Sequence, residues 1–121
     1  MVAASGVQAG VDLETFDPID HRSYTLSVTT NHAERTLVFP NLRTSAQPTV
    51  RLVNGGSGDI YVRLGGGNAT VPSGATPGDM FMPAGSIEVF PVRPAADGTV
   101  VISAITGIGS ATLHIAMGYG A

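Results

Sequence analysis

The apolar residues of this chain fall in short runs cut off by glycine and proline, and that spacing favours strands and leaves no segment long enough for a periodic helix. Tyr24, Leu26 and Val28 alternate with Thr25, Ser27 and Thr29, as a half-buried strand requires. Arg35 to Phe39 makes a second run, stopped by Pro40-Asn41, and Thr49 to Val53 a third. Asn54-Gly55-Gly56-Ser57-Gly58 then turns the chain into Asp59–Leu64, and this turn chemistry predicts a hairpin. Met80–Met82 is a short strand and Ile87–Val92 a longer one, which Pro91 confines to an edge or a bulge. Val100 to Ile105 is almost wholly apolar, as in a strand covered on both faces, and Ala111 to Met117 places Leu113 and Ile115 inward with His114 outward. These runs predict an all-β fold: one antiparallel β-sandwich or jelly-roll-like domain of seven or eight short strands behind an extended N-terminal arm.

The division expected from this pattern is an arm over residues 1–23 and a sandwich over 24–121. The arm has no periodicity; it begins with small residues and continues with Asp12, Glu14, Asp17 and Asp20. A mobile terminus fits that composition, and so does an arm that orders on a neighbouring subunit. The expected core comprises Leu52, Ile60, Val62, Leu64, Val89, Val101, Leu113 and Ile115, the apolar phase of the alternating strands. Gly65 to Asp79 lacks apolar periodicity and reads as a long binding or disordered loop.

Composition narrows the partners. Charged residues are 12% of the chain, about half the usual share, which suits a surface partly covered by other subunits. All six basic residues are Arg, a side chain suited to interfaces, although a GC-rich genome would produce the same bias. A net charge of −3 with scattered arginines argues against nucleic acid. No cysteine is present, so disulfides and thiolate chemistry are excluded. Neither a signal peptide nor a membrane helix is expected, and the product should be made in the cytosol.

Nothing in the chain has the spacing of a catalytic or metal site. His21, His32 and His114 lack a second ligand at metal-binding distance in the sequence. The carboxylates at 12, 14, 17 and 20 lack the glycine and terminal Glu of a calcium loop. Gly107-Ile108-Gly109-Ser110 follows a strand, but no helix and no Lys come after it, so it reads as a tight turn and not as a phosphate loop. Asn68-Ala69-Thr70 matches a glycosylation triplet and, in a cytosolic product, is a loop triplet. Asp59 and Glu88 have only their carboxylates to recommend them as a glycosidase pair. Tyr61, Phe81, Phe90 and Tyr119 are expected to plug the core; without Trp, a sugar-stacking role loses its most useful side chain. No enzyme, cofactor or metal is expected.

The second half has a further likeness. The runs VRLVNGGSGDIYVRLGGG, MFMPAGSIEVFPV and VVISAITGIGSATLHIAMGYG resemble small structural proteins of tailed bacteriophages and of related gene-transfer-agent particles. The matching features are Asn54 at a strand end, Tyr61 to Gly65, Pro83 to Val89, an Ala104 to Leu113 hairpin, and Gly118 to Gly120. The resemblance implies a β-sandwich virion component and transfers no catalytic residues. It leads to the expectation of a capsid decoration or cement protein in the virion. The partners would be the major capsid protein, other virion proteins and copies of itself, with no nucleic acid and no membrane. The runner-up is a fibre-associated receptor- or glycan-binding module that uses the 65–79 loop, and a small hydrolase is the least favoured.

Overall fold

A computed structural model describes residues 16–39, 47–73 and 75–120. Eight strands run in chain order: β1 (Asp17–Val28), β2 (Ala33–Val38), β3 (Gln47–Asn54), β4 (Ile60–Leu64), β5 (Met80–Met82), β6 (Ile87–Pro91), β7 (Thr99–Thr106) and β8 (Ala111–Gly120). No helix occurs among the described residues.

The pairing is nested. β1 pairs with β8, β2 with β7, β3 with β6 and β4 with β5, all antiparallel. The chain is thus a long four-rung ladder doubled back on itself. Two further pairings, β3 with β8 and β4 with β7, roll that ladder into two sheets of order β1-β8-β3-β6 and β2-β7-β4-β5. This is the eight-stranded jelly roll, a sandwich whose sheets face each other across one core. Every connection except β4 to β5 passes from one sheet to the other.

That topology corrects both expected hairpins. Residues 54–58 join β3 and β4, which lie in opposite sheets, and residues 107–110 join β7 and β8 across the same gap. Each glycine turn is an arch over the end of the sandwich. The expected arm boundary also moves: β1 starts at Asp17, not Tyr24, and Asp17 is opposite Tyr119. The register of β1 breaks between Pro18 and Ser23, where His21 adopts φ 60°, a left-handed conformation that His tolerates better than most side chains. The remainder of the expected arm, residues 1–15, lies outside the described residues.

The core is aliphatic and closed at one end by aromatic rings. Leu52, Ile60, Val62, Leu113 and Ile115 are buried as expected, with Leu37, Val50, Met82, Ile102 and Met117 beside them. Phe39 and Tyr119 meet edge to face with centroids 6.0 Å apart. At the open seam between β1 and β2, the Arg35 guanidinium sits 4.3 Å from the centre of the Tyr24 ring. Two core expectations fail, and a third holds on the other face of its sheet. Val101 is half-buried and outward, because Val100, Ile102 and Ala104 supply the inward phase of β7. Leu64 only partly reaches the core, since β4 ends there. Val89 is buried as expected, although it lies opposite Arg51 on the outer face of its sheet, while its neighbour Phe90 packs on the core. Pro91 does sit on an edge strand, as its missing N–H requires.

The 65–79 segment is pinned to the sandwich and is not a free loop. The Ser103 hydroxyl donates to Gly67 O at 3.0 Å, and Ser73 and Thr76 exchange two backbone hydrogen bonds. This covers the outer face of β7 at Ser103, so that strand is enclosed on both sides only there. The Asp79 carboxylate accepts from the Thr70 N–H (2.7 Å) and hydroxyl (3.0 Å), and Arg63 Nε lies 3.2 Å from its other oxygen. Burial works to raise the Asp79 pKa, but the Thr70 and Arg63 contacts outweigh it and hold the carboxyl below its ordinary 3.8. A depressed carboxyl stabilises the fold above its unfolded pKa, and the contribution disappears as pH falls through the lower folded value. Hydrogen exchange at the Asp79 amide, which donates to Thr70 O, should therefore accelerate on acidification below about pH 4 after correction for intrinsic rates. Asp79→Asn should remove that acid dependence; an unchanged acid response in the variant would assign it to another group.

Candidate functional site: a cleft between two glycine arches

The two arches meet at one end of the sandwich. A Cβ on Gly58 would come within 2.6 Å of Ser110 O, so only glycine lets the β3–β4 arch lie against the β7–β8 arch. Asn54 shapes the first arch from inside: its side-chain amide donates to Gly58 O (2.8 Å) and Met82 O (3.0 Å) and its oxygen accepts from Gly56 N–H (3.2 Å). Gly109 takes φ 77° and turns the second arch with nothing crowding it.

Between the arches is an open cleft of about 380 Å³, lined by Ser57, Gly58, Asp59, Tyr61, Gly107, Ile108, Gly109 and Ser110. Tyr61 is one wall. It points outward because Ile60 and Val62 take the inward phase of β4, and Phe81 points outward for the same reason between Met80 and Met82. Their rings lie 5.3 Å apart at 42°, so Phe81 braces Tyr61 from the side away from the cleft. Ile105, opposite Tyr61 on β7, completes an outward apolar row across the sheet. Ile108, 84% exposed at the tip of its arch, is the second apolar lining residue. Asp59 uses one oxygen to accept from the Ala84 N–H at 3.0 Å.

The expectation that the four aromatics plug the core therefore holds for Tyr119 and partly for Phe90, and fails for Phe81, which is 51% exposed, and for Tyr61. The period-two alternation already contained this outcome: inward Ile60 and Val62 oblige Tyr61 to face out.

The residues weighed for catalysis stay apart. His21 is on the exposed edge strand β1, His32 precedes β2, and His114 is on the outer face of β8 above Gly55. Asp59 precedes β4 in one sheet, and Glu88 is on β6 in the other. Among the described residues no three His, Cys, Asp or Glu side chains gather to hold a metal ion. Asp12 and Glu14 lie outside the described residues. A second groove of about 350 Å³ runs over the outer face of the first sheet, along Ser23, Thr25, Arg51, Val53, His114 and Ala116. Set against protein-family models, curated proteins and solved structures, the chain matches none of them.

Proposed function

We propose that this jelly roll is a structural protein of a tailed-phage particle, a decoration or cement subunit that binds the head shell and stabilises it. The observation that carries the reading is the set of large apolar side chains left outward on a sandwich with few charges. Val38, Phe81 and Ile87 are exposed, on an edge strand of one sheet, the outer face of the same sheet and an edge strand of the other. With charged residues only 12% of the chain, this surface suits a subunit packed among neighbours in a shell, where such apolar groups are buried. The likeness of the second half to phage structural proteins points the same way, and the partners it names are the major capsid protein and further copies of this chain.

The test is direct binding. Purified protein mixed with undecorated heads should co-sediment and saturate at a fixed ratio to the capsid subunit, and decorated heads should withstand more heat than bare ones. Failure to saturate, with retention on cells or polysaccharide instead, would replace this reading with a fibre-type binding module.

A further inference from the structure

We infer that the cleft between the glycine arches is a binding site for a neutral pyranose, such as a hexose unit of a surface polysaccharide. The inference stands apart from capsid attachment: a subunit on a head shell and a module on a fibre could both carry such a site.

A sugar ring asks three things of a protein, and this cleft supplies each. Its C–H face needs an aromatic or aliphatic wall, and Tyr61 lines the cleft with its ring braced by Phe81 behind it. A ring held from behind loses little freedom when it meets a ligand, which reduces the ordering cost of binding. Ile108 adds a second apolar surface at the tip of the opposite arch.

The hydroxyls of the sugar need acceptors and donors around the rim. Ser57 and Ser110 contribute hydroxyls, and Asp59 has one carboxylate oxygen beyond that used by the Ala84 N–H. Finally, the ring needs room. Gly58, Gly107 and Gly109 line the remainder of the cleft without side chains, and its volume of about 380 Å³ lies at the small end of ligand sites. Charge sets the class of sugar. Among the described residues Asp59 is the only acidic or basic side chain lining the cleft, so a uronic or sialic acid would meet a like charge and a neutral hexose would not.

The experiment is an amide-detected NMR titration of the full chain with methyl glycosides of glucose, galactose and mannose, and with the methyl glycoside of glucuronic acid as the charged control. At least one neutral glycoside should shift the amides of Ser57–Tyr61 and Gly107–Ser110 in a saturable way, in the weak range usual for single sugars. Tyr61→Ala should weaken that binding roughly ten-fold, and Tyr61→Phe, which keeps the ring, should retain most of it. Ile108→Ala tests the second surface with no buried contact at risk, and should weaken binding several-fold. Three results would overturn the inference: no shift at these amides with any neutral glycoside, binding by Tyr61→Ala and Ile108→Ala as tight as by the unaltered chain, or a stronger response to the glucuronide. Capsid binding is read in a separate assay, so either conclusion can fall while the other stands.

Discussion

Leu113→Ala should lower the free energy of unfolding by about 3–4 kcal/mol, measured by urea denaturation with the slope unchanged. Leu113 is fully buried on β8, which lies between β1 and β3, and pairs with Leu26 on one side and Asn54 on the other. Truncation there removes the transfer energy of the lost carbons and leaves a cavity that flanking strands on both sides cannot collapse to fill. Set against the ~5–15 kcal/mol that holds a typical domain folded, that loss brings the protein close to its limit. Ile108→Ala, at an exposed arch tip, is the internal control and should shift stability by no more than about 0.5 kcal/mol. If the two variants melted together, the assignment of β8 as a central core strand would be wrong.

Asn54→Ala should cost about 2–4 kcal/mol although no apolar packing is lost. Asn54 is fully buried, and its side chain satisfies Gly58 O, Met82 O and Gly56 N–H. Its backbone also receives the Gly85 N–H and donates to Ser86 O, so one residue ties the β3–β4 arch to the β5–β6 connection. Alanine would leave two carbonyls and one N–H short of partners, each costing about 1–3 kcal/mol where water cannot reach and less where it can. Asn54→Asp provides the sharper comparison. A carboxylate cannot donate to Gly58 O or Met82 O and would place acceptor against acceptor, so near neutral pH it should be worse than alanine. A chemical-denaturation series finding Asp tolerated better than Ala would mean that this amide is not the organising contact.

How much of this was legible beforehand depended on the residue. Strand existence was plain, because alternations such as Tyr24-Leu26-Val28 admit only one period. The two arches differ from the expected hairpins because a glycine turn records that the chain reverses, not which strand it returns to pair with. Asn54 to Gly58 suits a hairpin and an arch equally well, and the choice is made by packing between sheets, which no local window contains. The phase of β6 was ambiguous for a related reason. Ile87-Glu88-Val89-Phe90-Pro91-Val92 is apolar in both phases, and an edge strand can leave Glu88 in the inward phase and still reach water. The cleft was hidden for another reason again: Tyr61 and Ile108 are far apart in sequence, and only the meeting of two arches makes them neighbours.

The nested pairing also constrains how the chain is made. β8 leaves the ribosome after the seven other described strands, yet it sits between β1 and β3, and its partners include the first strand described. Until it emerges, β1 has no partner within its sheet, and β3 can pair only with β6. A nascent chain can therefore close the β4–β5 rung early and then β3–β6, but the outermost rung must wait for Gly120. Pairings between such distant segments make for slow folding, and the exposed strand edges of the unfinished sheet are open to pairing with other chains in the meantime. Synthesis of many copies at once would put its greatest demand on chaperones during that interval.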